Sequence, residues 1–158
     1  VKTGRLAIAC WRPQQPQQLQ DLRDAGGWWR SGDRAVLEPD LRILGRLDGA
    51  VISGGETVFP EQLEARLLAS GLPLQAVLLL GRPDADWGER LVGLVRSSTP
   101  DIVERLQDLT RPWPAAERPQ RWVLCPELAP SEAGKWHRRR WQAWLQSQES
   151  GNPSGPDG

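Results

Sequence analysis

The plainest chemistry in this 158-residue chain belongs to a lysine on a glycine-tethered loop, Gly134-Lys135, followed by Trp136-His137-Arg138-Arg139-Arg140. An ammonium on such a loop can move to a phosphate or a carboxylate as a point charge, with a reference pKa of about 10.4. The three arginines behind it read as a solvated helix face. A second cluster, Gly27-Trp28-Trp29-Arg30-Ser31-Gly32-Asp33, sets a short acidic side chain after a glycine at a strand edge. That arrangement suits bidentate acceptance from a sugar diol, although Ser-Gly-Asp is also an everyday turn. The third cluster is Gly45-Arg46-Leu47-Asp48-Gly49-Ala50-Val51-Ile52-Ser53-Gly54-Gly55-Glu56, with four glycines in twelve residues around one Arg and one Asp. Glycine admits positive φ and lets backbone approach a ligand closely, so this is either a polar hinge beside a hairpin or a plain hairpin turn. His137, the single histidine, sits inside the basic run and reads as a surface residue rather than a catalytic base. No Walker A pattern, no GxGxxG after a strand and no HExxH occurs.

These clusters need elements to hold them. Short apolar stretches between Gly27 and Gly55 alternate with the turns Glu38-Pro39-Asp40 and Asp48-Gly49, the pattern of small antiparallel hairpins. Phe59-Pro60-Glu61 opens a helix whose buried stripe is Leu63, Leu67 and Leu68, with Gly71 as its stop. Residues 76–80 and 91–95 are continuous apolar runs of strand length, separated by a turn-rich insert, 81–88. Thr99-Pro100-Asp101 starts a second helix with Ile102, Leu106 and Leu109 on one face. Three prolines (Pro112, Pro114, Pro119) precede a third strand at 121–124, and a last helix places Trp141, Trp144, Leu145 and Gln148 on one side. Residues 11–26 read as a polar Gln/Pro-rich connector, Trp28 and Trp29 as core, and the Gly/Pro/Ser-rich end from Ser150 to Gly158 as disordered. The expected fold is α+β: a small three-stranded sheet with packed helices, plus an N-terminal hairpin.

Composition narrows the function classes. Twenty Lys+Arg against twenty Asp+Glu give a formal net charge of zero, which argues against a dedicated nucleic-acid binder. No run approaches the roughly 20 apolar residues of a membrane span, and no signal peptide is visible. Cys10 and Cys125 lack metal-ligand spacing and suit a reducing, cytoplasmic setting. Nine Trp stand beside one Phe and no Tyr. The chain starts at Val1 and contains no Met, as expected of a piece of something longer.

Taken in order, Trp28 to Asp33, Gly45-Arg46-Leu47-Asp48, Ile52 to Glu64 (Ile-Ser-Gly-Gly-Glu-Thr-Val-Phe-Pro-Glu-Gln-Leu-Glu), Gly81-Arg82-Pro83-Asp84, Trp87-Gly88-Glu89 and Gly134-Lys135 resemble the acyl-adenylate-forming ligases. That superfamily includes acyl-CoA synthetases, luciferases and peptide-synthetase adenylation domains. The wording from Ser53 to Pro60 and the short C-terminal half look most like the o-succinylbenzoate–CoA ligases of menaquinone and phylloquinone biosynthesis. The resemblance implies that 1–47 end a large N-terminal domain, that 48–148 form the small mobile C-terminal domain, and that 149–158 are a disordered tail. It implies as well that the phosphate loop and the adenine-binding segment lie upstream.

Residue by residue, the resemblance makes Asp33 the acceptor for the ribose hydroxyls and Arg46 a cation on the nucleotide. Asp48 becomes the hinge, Ser53, Gly54 and Gly55 the loop lining the CoA tunnel, and Lys135 the catalytic lysine of adenylation. ATP with Mg²⁺ and CoA are the implied co-substrates and a small aromatic carboxylate the acyl partner, with no metal ligand assigned. The family usually has Ser-Gly-Lys where this chain has Ala133-Gly134-Lys135, preceded by Ser131-Glu132; a hydroxyl is lost while the glycine and the charge stay. The other readings are a different acyl-CoA synthetase of the superfamily, and a stand-alone module presenting its basic helix to an acidic partner.

Overall fold

The computed structural model describes residues 9–12, 15–21, 23–29, 31–37 and 39–150. The chain divides into two units, Val1–Asp48 and Gly49–Gly158.

In the first unit, β1 (Ala9–Arg12) pairs antiparallel with β2 (Gln15–Asp21). The connector expected at 11–26 is therefore largely strand. A ladder is satisfied by backbone N–H and C=O groups, which the glutamines still supply and of which Pro16 lacks only the N–H, so polarity was a poor guide there. Of the strand expected at 6–9, only Ala9 lies within the described residues. A second pair, β3 (Asp33–Leu37) and β4 (Leu41–Arg46), runs antiparallel with a register shift after Arg34. None of this unit's described side chains is buried. Trp28, expected in a core, is accordingly 56% exposed. It rides on a turn in which Asp24 Oδ1 accepts the N–H groups of Gly26 and Trp28, both at 2.9 Å. A 3-10 turn, Leu47–Gly49, follows β4.

The second unit is organised by β7 (Ala76–Asp84) and β8 (Gly88–Arg96), antiparallel from Ala76↔Arg96 to Asp84↔Gly88. The insert expected at 81–88 shrinks to a three-residue turn, Ala85-Asp86-Trp87, because Asp84 Oδ1 accepts the N–H groups of Asp86 and Trp87 at 3.1 and 3.0 Å. Both strands are apolar on successive residues because both sheet faces are covered. Val77, Leu79, Leu91 and Val95 face a layer formed by α1 (Pro60–Leu68) and α2 (Ile102–Thr110), through Leu63, Leu67, Ile102 and Leu106. Leu78, Leu80, Val92 and Leu94 face Trp141 and Leu145 of α3 (Arg138–Ser150), together with Cys125 and Leu128.

The sheet has five strands rather than three. β9 (Arg121–Leu124) runs parallel to β8 after the α2 crossover. The hairpin of β5 (Val51–Ser53) and β6 (Glu56–Val58) joins through a single bridge, Ser53↔Gly88. Three-residue strands meeting the sheet at one position leave no periodic signal, which is why the sequence placed them apart. α3 reaches Ser150, so the first two residues of the expected tail are helical; 151–158 lie outside the described residues. No helix among the described residues is long and apolar enough to cross a membrane.

Candidate functional site

Lys135 stands on a short closed turn between Leu128 and α3. Ser131 N–H donates to the Lys135 carbonyl at 2.9 Å, Gly134 N–H to the Ser131 carbonyl at 2.8 Å, and Lys135 N–H to Ser131 Oγ at 3.2 Å. Gly134 sits at φ +71 with nothing within 4 Å of where a Cβ would be, so glycine is there for its backbone conformation. The Ser131 hydroxyl binds the lysine's own amide from four residues upstream. The turn fixes the backbone of Lys135 and leaves the residue exposed.

The residues expected on the nucleotide come together in the first unit. Asp33 opens β3 and Arg46 closes β4, and the two are register partners. Directly opposed residues have Cβ atoms roughly 5 Å apart. Ser31 Oγ accepts the Asp33 N–H at 3.3 Å, and Leu47 N–H donates to the Gly32 carbonyl at 2.9 Å, which closes the base of the hairpin. Arg46 grips Asp48 as a fork, Nε to Oδ1 and Nη2 to Oδ2, both at 2.8 Å. The two side chains are 58% and 68% exposed, so exchanging this carboxylate for a phosphate costs about 1 kcal/mol at most.

Ser53, Gly54 and Gly55 form the β5–β6 turn. Gly54 at φ +58 and Gly55 at φ +84 are its two central residues, the left-handed pair that a two-residue hairpin turn demands. Gly54 donates its N–H to the Trp87 carbonyl at 2.9 Å and lies against the Trp87 ring, over which the Arg90 guanidinium stacks at 4.9 Å. Ser53 is buried, and its hydroxyl has no hydrogen-bond partner among the described residues. His137 is exposed, in line with its reading as a surface residue.

Arg138 corrects the reading of 138–140 as a solvated face. Its side chain is 20% exposed and binds Glu64, which is 8% exposed, in a fork: Nη1 to Oε1 and Nη2 to Oε2, both at 2.9 Å. Nη1 also donates to the Leu79 carbonyl at 2.7 Å, and Nη2 lies 3.2 Å from Glu61 Oε1. Glu64 Oε1 accepts the Leu79 N–H at 2.7 Å. Burial pushes the Glu64 carboxyl above the usual carboxylate range, while Arg138 and the Leu79 amide pull the other way. A carboxylate one residue from Leu63 and three from Leu67, on the inward side of α1, was the signal in the sequence that a cation had to arrive there. The inward turn of Arg138 also thins the basic face that a stand-alone binding module would present. Arg90, Arg111 and Arg118, with Gln107, Thr110, Pro119 and Gln120, line a cavity of about 230 Å³ that no sequence motif announced.

No protein-family model matches the chain. Among curated proteins it is similar to the 2-succinylbenzoate–CoA ligase of Enterococcus faecalis, 31% identical over 127 residues that cover 78% of this chain and 26% of that protein. The 2-succinylbenzoate–CoA ligase of Escherichia coli is 28% identical over 152 residues, covering 94% of this chain and 32% of that protein. Among solved structures, o-succinylbenzoate CoA synthetase from Bacillus subtilis, in complex with the acyl-adenylate intermediate OSB-AMP, shares the fold. Its TM-score is 0.66 at 23% identity, over 75% of this chain and 25% of that one. The chain thus spans between 26% and 32% of the length of the two curated relatives.

Proposed function

We propose that this chain, which belongs to the acyl-adenylate-forming ligases, works as the C-terminal part of an ATP-dependent carboxylate–CoA ligase. The observation that carries the reading is Lys135, exposed on a glycine turn whose backbone Ser131 closes. In the first half-reaction a carboxylate oxygen attacks the α-phosphorus of ATP and diphosphate leaves. Two anions must meet, and an ammonium between them offsets their repulsion and the charge that develops in the transition state. In the second, a thiol attacks the acyl carbonyl and AMP leaves, a step with no such repulsion to offset.

Asp33 would accept from the ribose hydroxyls and Arg46 would bind the nucleotide; their placement as register partners supports a joint role. Asp48 would be the hinge whose rotation withdraws Lys135 and brings in the Ser53-Gly54-Gly55 turn as the wall of the pantetheine path. Arg46 holds that hinge carboxylate in the fork described above, so the nucleotide and the hinge carboxylate compete for one guanidinium, and taking up nucleotide would free the hinge. Mg²⁺ would accompany the phosphates of ATP; among the described residues, no group of three or more His, Cys, Asp and Glu could hold a metal ion. The names of the curated relatives make o-succinylbenzoate, a small aromatic carboxylate, the acyl substrate to test first.

The test is Lys135→Ala in the ligase that carries this chain. Adenylation, followed as ATP–diphosphate exchange, is expected to fall by about 10²–10³-fold, the loss typical of one transition-state cation or donor. Thioester formation from supplied acyl-adenylate should persist. An equal fall in both half-reactions would remove the assignment.

A further inference from the structure

We propose that Arg138 is a positioning residue for Lys135: anchored on Glu64, Glu61 and the Leu79 carbonyl, it sets where α3 begins and with it where the lysine turn is held. The proposal rests on the reading of Lys135 above. The guanidinium joins three elements, α1 through Glu61 and Glu64, β7 through Leu79, and α3 through its own backbone. Two of these belong to the core, and Leu79 itself is fully buried. Between Lys135 and Arg138 lie only Trp136 and His137, and Trp136 packs against the cluster of Leu78, Leu80 and Trp141. Upstream, Ser131 closes the turn. The lysine backbone is therefore held from both sides, and Arg138 is the polar anchor on the downstream side.

Magnitudes favour a functional consequence. Three residues span at most about 10 Å, so a shift at the start of α3 reaches Lys135 with little slack to absorb it. A reacting group must be held within about 0.5 Å of its productive place, and a misplacement of about 1 Å costs on the order of 10²-fold in rate. The planar guanidinium meets both Glu64 oxygens and still reaches a backbone carbonyl; an ammonium makes no such fork. Arg139 and Arg140 are exposed, and Arg140 lies over the Trp141 ring at 5.3 Å, so neither takes this place.

A purely structural pair would lower stability and both half-reactions alike, and this sets the test. In the ligase that carries the chain, Arg138→Lys keeps the charge and loses the fork. The double variant Glu64→Gln/Arg138→Met removes both charges of the buried fork together, leaves Glu61, whose side chain is 39% exposed, to water, and keeps a side-chain amide that still accepts the Leu79 N–H. Both variants are expected to slow adenylation by about ten- to a hundredfold in kcat, with the KM for ATP, the thermal midpoint of the double variant and the thioester half-reaction unchanged. Lys135→Ala runs beside them. If it abolishes adenylation while the double variant adenylates at the wild-type rate, or loses both half-reactions equally, the positioning role is refuted and the lysine reading stands. If Lys135→Ala leaves adenylation intact, the lysine reading and the positioning role fall together.

Discussion

Replacing Gly54 by alanine separates the two demands the β5–β6 turn places on that residue. The first is conformational: an L side chain at φ +58 costs about 1–2 kcal/mol. The second is contact. A Cβ on Gly54 would stand 2.7 and 2.8 Å from Cε3 and Cζ3 of Trp87, where carbon atoms prefer about 3.5–4.0 Å, so the ring must retreat by roughly 1 Å. Trp87 is held by the Gly54 N–H on its carbonyl and by Arg90 over its ring, so the retreat carries an overpacking cost of about 1–3 kcal/mol. Gly55 is the internal control. It shares the left-handed conformation, at φ +84, yet a Cβ there meets nothing within 4 Å.

Gly55→Ala should therefore cost about 1–2 kcal/mol and Gly54→Ala about 2–5, read as midpoint shifts in urea at constant m-value. The Gly54→Ala/Trp87→Ala double variant should recover the contact part, which appears as a coupling energy of about 1–3 kcal/mol in the cycle. A Gly54→Ala cost no larger than that of Gly55→Ala, or a cycle with no coupling, would refute the argument. In the intact ligase the same substitution shifts the proposed pantetheine wall, so the thioester step should slow while adenylation holds.

Gly93→Ala is the more severe case: its Cβ would lie 2.3 Å from two ring atoms of Trp122, which is only 6% exposed and has no open side to move to. A loss of about 3 kcal/mol or more is expected in the same denaturation assay, and a change under about 1 would contradict the packing of β8 against β9. Cys125 is buried, and burial with the nearby Glu127 raises its thiol to about 11, so in a Cys10→Ser background it should resist alkylation at pH 8 until the chain unfolds. Above its ordinary value the unfolded thiol loses its proton while the folded one keeps it. The folded state then binds more protons, and its stability should fall as pH rises from about 9 toward about 11. Prompt labelling of the folded chain, or a flat alkaline profile, would count against that burial.

Local sequence carried much of the second unit. Residues 76–80 and 91–95 announced paired strands because alternate side chains serve two apolar layers; Pro60 and Pro100 marked helix starts within two residues, and Gly71 lies three residues past the end of α1. The lysine turn was legible for the same reason: a left-handed Gly134 and a serine four residues before Lys135 are properties of one short stretch. Glycines at 54 and 55 could be read as a turn, but the Trp87 ring that makes Gly54 irreplaceable comes from another strand pair. The five-stranded sheet was hidden because β5 enters it through one bridge, Ser53 to Gly88.

Three consecutive arginines show where local reading ends. Arg138, Arg139 and Arg140 are the same residue in the same helix start, and composition alone makes all three a wet surface. The tertiary structure separates them by bringing up a buried carboxylate 74 residues away, Glu64, whose charge has to be met by the one arginine that faces it. A charge buried without a partner is too costly to keep, so the packing of α1 against the sheet, and not the basic run itself, decided that Arg138 became an anchor while its neighbours stayed in water.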